Sequence, residues 1–381
     1  MSHSVSKYIE EKIRERKEQN TFRKLFLPEA KVDFFSNDYL GIATNKSLAF
    51  PLNKIIRKVP HNMPLFGATG SRLLSGNSQF VEDTETLLAN IHQTEAALLF
   101  NSGYNANLGV LSALPYKNAT IFYDELIHAS MHDGIKMSKA KATAFKHNSI
   151  KDLEEKLAAT HNFKFIAIEA LYSMDGDFAP LKEIVALAKK YDAAIILDEA
   201  HSTGIYGEKG EGWAQQQNLH QDIFIRIHTF GKAAGVHGAV VLCNESVKSF
   251  LVNYSRPFIF STAMPLHSVC AIRSCYEYFA STACEAERKK LMQNIQLFSS
   301  VTKGITEFKF AESPSAIQTL FIPGNENAKT AAEKIRQQGF EVRAILSPTV
   351  AKDTERIRIC LHSFNTTQEI NDLLQTISYL K

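Results

Sequence analysis

The sequence predicts an α/β fold, in which a mainly parallel sheet covered by helices is followed by a smaller α/β domain. Short apolar runs recur between Thr94 and Cys243, and helical patterns separate several of them. After about Leu266 the pattern changes to long helical stretches. Alternation of buried strands with helices is typical of a parallel sheet with both faces covered. The chain has 381 residues, more than the roughly 100 to 200 usual for one domain, so we expect two unequal domains.

Six apolar runs are the candidate strands of the large sheet. They are AALLF at Ala96, TIFYD at Thr120, FIAIEA at Phe165, AAIILDEA at Ala193, IFIRIHTF at Ile223 and AVVLC at Ala239. The clearest helix follows Pro180, a residue type suited to a helix start. Its apolar side chains recur at helical spacing, at Leu181, Ile184, Val185 and Ala188.

The last part of the chain has a different pattern. A helical stretch, ACEAERKKLMQNIQLFSSVTKGI, precedes strand SAIQTLFI, helix NAKTAAEKIRQQ ended by Gly339, strand ERIRICL and a final helix. That final helix has one apolar face, formed by Ile370, Leu373, Leu374 and Ile377. We therefore expect an N-terminal segment over residues 1–45, a large domain over 46–266 and a C-terminal α/β domain over 267–381.

Composition excludes several classes of protein. Lys and Arg number 43 against 40 Asp and Glu, giving a formal charge of +3, too small a field to attract nucleic acid or an anionic membrane. Five cysteines, an odd number without a CxxC pair, favour buried thiols in a reducing compartment. The N-terminus lacks the apolar core of a signal peptide, and no apolar stretch approaches the roughly eighteen residues of a membrane helix. We expect a cytoplasmic protein.

Two polar residues follow neighbouring candidate strands. Asp198 ends the run AAIILD, and Lys232 follows IFIRIHTF among small residues. A turn cap and a surface charge are their commonplace explanations. Ligands bind at the carboxyl ends of parallel strands, however, and a desolvated lysine can form an imine with a carbonyl group. Pyridoxal phosphate (PLP) uses such a lysine, together with a carboxylate that keeps its ring nitrogen protonated.

Two other kinds of site can be weighed against this one. The letters Asp-Glu-Ala-His at Asp198 match a helicase box, but the required phosphate loop G-x-x-x-x-G-K-S/T is absent, since Ala233 follows the lysine. His128 and His132 have a spacing that can bind zinc, but the H-E-x-x-H form is absent. Stacking on a flat cofactor ring suits one of the two imidazoles better, and we expect no metal.

A small-residue turn follows the strand AALLF and is a candidate phosphate site. It consists of Asn101, Ser102, Gly103 and Tyr104. Backbone amides at a helix start bind phosphate, so Ser102, Gly103 and Tyr104 are expected to bind the cofactor.

Taken together, these segments resemble the alpha-oxoamine synthase family, PLP-dependent enzymes of fold type I. The resemblance runs from Phe34 to about His362. It rests on FFSNDYLG, FGATGSRLLSGN, LLFNSGYNANLGVLSAL, DELIHASMHDG, SMDGDFAPL, LDEAHSTGIYGEKG, HTFGKAAG, FSTAMP, RAILSPTV and ERIRICL. Members of the family join an amino acid to an acyl-CoA with loss of carbon dioxide, and the resemblance implies that activity here.

The resemblance also implies roles for individual residues. Lys232 would hold PLP as a Schiff base and shuttle a proton. Asp198 would contact the ring nitrogen, His128 would stack on the ring and His201 would contact the phenolic oxygen. Ser173 would assist at that oxygen or at the acyl carbonyl. Thr229 would bind phosphate with the turn, joined from the partner subunit of a homodimer by Ser261 and Thr262. Asn37 and Arg358 match positions that bind the substrate carboxylate.

The substrates within the family stay open. Segment 312–318 and the Pro348-Thr349-Val350 turn favour alanine with a pimeloyl thioester, as in biotin synthesis. Glycine with acetyl-CoA, serine with palmitoyl-CoA and a catalytically inactive member are the alternatives. Leu346 replaces an arginine that meets a distal acyl carboxylate in some members, and Val81 replaces a frequent histidine. Arg23 could supply the missing charge.

Overall fold

The computed structural model describes residues 4–25, 27, 32–60 and 63–380. They group into two compact units. The larger unit comprises Asn37–Ser173 and Asp177–Arg288, and the smaller one comprises the described residues up to Ser36, Met174–Gly176 and those from Lys289 onward.

Helices and strands alternate through most of the chain. In order they are α1 (Ser4–Glu18), β1 (Val32–Asp33), α2 (Ala49–Ile56), α3 (Gln79–Ile91), β2 (Ala96–Phe100), α4 (Gly103–Ala113), β3 (Ala119–Asp124), α5 (Ala129–Met137), β4 (Lys141–Phe145), α6 (Ile150–Ala158), β5 (Phe163–Glu169), α7 (Leu181–Tyr191), β6 (Ala193–Asp198), α8 (Trp213–Gln216), β7 (Ile225–Thr229), β8 (Ala239–Cys243), α9 (Glu245–Tyr254), α10 (Arg256–Ile259), α11 (Leu266–Phe279), α12 (Thr282–Thr302), β9 (Ile317–Phe321), α13 (Asn325–Gln337), β10 (Phe340–Glu341), β11 (Arg343–Ile345), β12 (Arg356–Cys360) and α14 (Thr367–Ser378).

Seven strands of the larger unit form one sheet in the order β2-β8-β7-β6-β5-β3-β4. The pairs from β7 to β4 are parallel, whereas β8 runs antiparallel to both of its neighbours. Strands β2 and β8 are buried throughout and β3, β5 and β6 over most of their lengths. Central residues such as Ile166, Ile196 and Ile227 are almost fully buried, because helices cover both faces of a sheet of this kind.

This topology brings three strand ends to one edge of the sheet. Strands β5, β6 and β7 are parallel neighbours and end at Glu169, Asp198 and Thr229. Lys232 follows Thr229 in a tight turn, in which the amide of Gly235 donates to the carbonyl oxygen of Lys232 at 2.8 Å. Side chains from three strands can therefore meet at this edge.

The smaller unit contains a separate antiparallel sheet in the order β11-β12-β9. Arg358 occupies the middle of β12, facing Arg343 on β11 and Thr319 on β9. Helix α14 buries Ile370, Leu373, Leu374 and Ile377, the apolar face that the sequence predicts.

The predicted strands of the large sheet and the predicted helix after Pro180 are confirmed, and so is the mainly parallel arrangement. One strand of the large sheet was missed: β4 lies at the sheet edge with Lys141, Ala142 and Ala144 exposed, so it carries no apolar run. All five cysteines are buried thiols, as predicted. Within the parts of the chain that the structure describes, every helix is too short or too polar to cross a membrane.

The compact units divide the chain at different places from those expected. The expected boundaries were 45/46 and 266/267, whereas the units divide at 36/37, around 174–176 and at 288/289. Helix α11 groups with the larger unit because it packs against α2 and α3. The sequence pattern marks the start of long helices near Leu266 but does not show which unit they join.

Candidate active site

Asp198 is a buried carboxylate with both oxygens held in place. Its side chain is 5% exposed. Oδ1 accepts a hydrogen bond from the amide of Ala200 at 2.8 Å, and Oδ2 accepts one from Nδ2 of Asn107 at 2.6 Å. Donors of this kind stabilise the charged form, so the site contains a fixed negative charge at the end of β6.

Asn107 connects Asp198 to the predicted stacking histidine. Its Nδ2 also donates to Oγ of Ser130 at 3.0 Å. Ser130 in turn lies 2.7 Å from Nδ1 of His128, and the amide of Ser130 donates to the same nitrogen at 3.2 Å. Since that amide can only donate, Nδ1 of His128 accepts, and the imidazole is fixed in orientation.

The imidazole of His128 lies at the exposed rim of the site, on the loop before α5. Burial of its inner atoms lowers its pKa; the charge of Asp198 opposes this effect and the charge of Lys232 adds to it. His128, Asp198 and Lys232 are therefore close enough to interact electrostatically. A neutral ring at neutral pH suits stacking on a flat aromatic group.

Glu169 is a second buried carboxyl group at this edge. It is 3% exposed and stands in register with Asp198 on the neighbouring strand. Burial, followed by the charge of Asp198, raises the pKa of Glu169 to about 8, and Lys232 opposes the shift. At neutral pH most of this group is protonated.

The predicted phosphate turn lies beside Thr229. Ser102 caps α4 by accepting from the amide of Asn105 at 3.2 Å. Added at Gly103, a Cβ atom would come within 3.0 Å of Oγ1 of Thr229. The first amides of a helix have no partner within it, so Gly103 and Tyr104 present donors next to a hydroxyl group, an arrangement that fits a phosphate.

Two further contacts fix the surroundings of this turn. The exposed Tyr104 donates from its hydroxyl group to Oδ2 of Asp133. Asn101 donates from Nδ2 to the carbonyl oxygen of Thr262 at 2.7 Å, so the segment with Ser261 and Thr262 lies next to the turn of its own chain.

His201 is buried behind the carboxyl end of β6. Its Nδ1 lies 2.9 Å from the hydroxyl group of Tyr39, and that hydroxyl donates to Oδ1 of Asn37 at 3.0 Å. The structure therefore brings His201 and Asn37 together through Tyr39. The loop that carries His201 is anchored by Glu199, which accepts from the hydroxyl of Ser202 and the amide of Trp213.

Ser173 is half-buried, two residues beyond the bridge partner Leu171. The chain leaving this segment is held by His147, whose Nδ1 and Nε2 lie 2.9 Å and 2.8 Å from Asp124 and Asp177. Although burial lowers the pKa of His147, these two carboxylates outweigh it and raise that pKa to about 10. His147 is therefore charged at neutral pH and joins the ends of β3 and β4 to the loop after β5.

These residues match the chemical needs of PLP. The charged Asp198 suits a protonated ring nitrogen, and the first amides of α4 with Thr229 suit a phosphate. Lys232 is half-buried and interacts with a neutral imidazole and a carboxyl group. Added at Gly103, a side chain would fill the space beside Thr229, which explains the glycine at that position.

The smaller unit contains the remaining predicted residues. Arg358 is half-buried, and its Nη2 lies 3.2 Å from Sγ of Cys360. Arg23 and Leu346 line one cavity of about 720 Å³. Apolar walls and further cations also line it, among them Phe22, Lys24, Lys329, Val342 and Ala344.

Sequence reasoning missed Asn107, Ser130, Tyr39 and Glu169. Asn107 is polar on a helix that is otherwise apolar on its buried face, which is a usable signal because buried polar groups need partners. Glu169 ends a strand at the same register as Asp198, and strand pairing would have indicated it. The short side chain of Ser130 gave no signal.

The largely parallel α/β fold, together with the polar residues at the carboxyl ends of β5, β6 and β7, defines the class of protein: an enzyme that uses PLP. The chain belongs to the aminotransferase class I and II family, whose model matches residues 29–377. It is 38% identical to an 8-amino-7-oxononanoate synthase of Emericella nidulans, over 97% of this chain and 94% of the relative.

Two solved structures have the same fold. A serine palmitoyltransferase from S. paucimobilis, with bound PLP-myriocin aldimine, superposes with a TM-score of 0.88 at 25% identity, covering 100% of this chain and 98% of that one. An 8-amino-7-oxononanoate synthase from Francisella tularensis has a TM-score of 0.78 at 27% identity, with 92% and 98% covered. The predicted fold type I, the use of PLP and the resemblance to alpha-oxoamine synthases are thereby confirmed.

Proposed function

We propose that the chain condenses L-alanine with a pimeloyl thioester, releasing carbon dioxide and the thiol carrier and forming 8-amino-7-oxononanoate. The observation that carries this proposal is the 38% identity, over nearly the full chain, to a relative named for that product. The buried Asp198 and the half-buried Lys232, at one edge of the sheet, support it chemically.

PLP, when bound, supplies a ring that withdraws electrons from the α-carbon of the amino acid. Lys232 is proposed to hold PLP covalently and then, as a free amine, to remove the α-proton and return one at the end. Asp198 keeps the ring nitrogen protonated, because its charge is fixed by Asn107 and the amide of Ala200. The deprotonated carbon would then attack the thioester carbonyl with departure of the thiolate, and the carboxylate of the amino acid would leave as carbon dioxide before Lys232 returns the proton.

The remaining large-unit residues are proposed to bind and orient. The amides of Gly103 and Tyr104, with Ser102 and Thr229, hold the phosphate. His128 packs on the ring and stays neutral, as the lowered pKa indicates.

The phenolic oxygen of the cofactor is proposed to accept from His201, with Ser173 assisting there or at the acyl carbonyl. Tyr39 supports this assignment, because its hydrogen bond at 2.9 Å fixes the His201 ring.

Arg358 and Asn37 are proposed to bind the carboxylate of the amino acid. A guanidinium group forms paired hydrogen bonds with a carboxylate, so Arg358 would orient the amino acid for the breaking of a bond at its α-carbon. We further propose a cytoplasmic homodimer in which Ser261 and Thr262 of each subunit reach the phosphate of the other. Because the carbonyl oxygen of Thr262 accepts from Asn101 of its own chain, this proposal requires the phosphate turns of both subunits to lie close to the subunit interface.

Arg23 is proposed to bind the distal carboxylate of the acyl chain, in the cavity that it shares with Leu346. Replacing Arg23 with glutamine should raise the KM for pimeloyl-CoA about tenfold to a hundredfold, since a charge-assisted hydrogen bond is lost. The KM for an uncharged acyl-CoA of similar length should stay unchanged. Steady-state kinetics with both thioesters provide the measurement.

Lys24→Gln is the matched control, because it removes a positive charge from the lining of the same cavity but leaves Arg23 in place. If Arg23→Gln raises both KM values equally, Arg23 does not recognise the distal carboxylate.

A substrate panel tests the proposed function. Alanine, glycine and serine are combined with acetyl-, pimeloyl- and palmitoyl-CoA, and release of CoA is followed. We expect alanine with pimeloyl-CoA to give the highest kcat/KM. Serine with palmitoyl-CoA is the second candidate, favoured by the TM-score of 0.88 to a serine palmitoyltransferase and by the uncharged Leu346. A clear preference for any other pair would overturn the proposal.

A further inference from the structure

Glu169 has no role in the reaction as described so far, although it lies at the centre of the site. It is the last residue of β5 and pairs in register with Asp198 on the parallel strand β6. Paired residues on neighbouring strands point to the same face of a sheet, and such strands lie about 4.8 Å apart. The two carboxyl groups therefore occupy the same side of the same edge.

The surroundings of Glu169 do not favour a charge. The side chain is 3% exposed, and its Oε1 is buried without a hydrogen-bond partner among the described residues. Leaving an ionised oxygen in this condition is costly. Asp198, in contrast, has a hydrogen-bond donor on each oxygen, so of the two carboxyl groups Asp198 is the one that carries the negative charge.

The charged and titratable groups around Glu169 come from several elements. Asp198 on β6 and Asp124 on β3 raise its pKa, whereas Lys232 beyond β7 and the amide of His128 lower it. Tyr172, three residues farther along the chain, has its own pKa raised by burial and by its acidic neighbours. The two carboxylates and burial prevail over Lys232.

We propose that Glu169 is a positioning residue that stays protonated beside Asp198 and so leaves Lys232 facing a single negative charge. A second charge would stabilise the ammonium form of Lys232. The amine must be neutral both to bond to the cofactor and to remove a proton. Glu169 thus keeps Lys232 available as an amine. This inference rests on the proposed use of Lys232 and Asp198.

The first test needs no cofactor. The pKa of Glu169 is about 8 in the fold against 4.5 as the ordinary value. Between these values the unfolded chain releases a proton that the fold retains, so stability falls as pH rises through this window. Glu169→Gln removes this loss. The Tm of the Glu169→Gln apoenzyme minus the Tm of the wild-type apoenzyme should therefore increase by several degrees from pH 5 to pH 8.5.

The second test uses the bound cofactor. Its visible absorbance, followed from pH 6 to pH 10, should show a transition near pH 8 in the wild type, because ionised Glu169 would then act on the Lys232 nitrogen through which the cofactor is attached. Glu169→Gln should lack this transition. Glu183→Gln, on an exposed position of α7, is the matched control and should retain it.

Glu169→Leu provides a second neutral side chain in case the glutamine variant does not fold, and it should behave in the same way. A Tm gain independent of pH, or an alkaline transition that survives in both neutral variants, would overturn the inference. Absence of any cofactor from the wild type would instead overturn the proposed function, and the apoenzyme measurement would still decide the protonation of Glu169.

Discussion

Lys232→Ala should lose the visible absorbance of the bound cofactor and reduce kcat by about a thousandfold or more, since it removes both the covalent attachment and the proton-transfer group. The half-buried amine lies close enough to Glu169 and His128 to shift their pKa values. Absorbance spectra of the purified variant, with and without added PLP, and CoA release with saturating substrates provide the measurement.

The fold of Lys232→Ala should be retained, because Lys232 lies in a turn closed by backbone hydrogen bonding. Lys182→Ala, at an exposed position of α7, is the control and should keep both absorbance and activity. If Lys232→Ala keeps the absorbance band of the wild type, the cofactor is bound elsewhere.

Asp198→Asn should reduce kcat by about a hundredfold to a thousandfold, the range seen when one preorganised electrostatic group is removed. Asparagine is close in shape but cannot keep the ring nitrogen protonated. The new side chain would also face the amide of Asn107, which in the wild type donates to Oδ2 of Asp198 at 2.6 Å. Exchange of the α-proton of alanine with solvent deuterium, followed by NMR, isolates the affected step.

The control for this change is Asp192→Asn, at the opposite end of the same strand. Asp192 is exposed and has a φ of +49°, a conformation that asparagine tolerates. We expect Asp192→Asn to exchange the α-proton of alanine at the wild-type rate. Wild-type exchange from Asp198→Asn would show that Asp198 does not support the ring nitrogen.

Much of the large sheet could be predicted because its strands are buried on both faces and so form apolar runs. The fully buried AALLF and AVVLC are strands β2 and β8 at their predicted positions. Strand β4 could not be found in this way, since most of its residues are exposed. Strands β10 and β11 have only two and three residues, too few for a periodic pattern.

The candidate site could be predicted only where a residue follows a recognisable strand or belongs to a recognisable segment. Asp198 and Lys232 satisfy both conditions, and the structure places them with His128 at one edge. Asn107 and Glu169 depend on strand order and on which side of α4 faces β6. These are tertiary properties: the polar Asn107 on a buried helix face marks a residue that needs a partner, but the local sequence does not identify Asp198 as that partner.

The most direct test of the central claim is to find the lysine that bears the cofactor. The wild-type protein is reduced with borohydride, digested with trypsin and mapped by mass spectrometry. Modified Lys232 resists trypsin, so the account predicts one phosphopyridoxyl peptide running from Ile227 to Lys248, with Lys232 uncleaved within it. A modified peptide containing any other lysine, with Lys232 cleaved normally, would contradict the account.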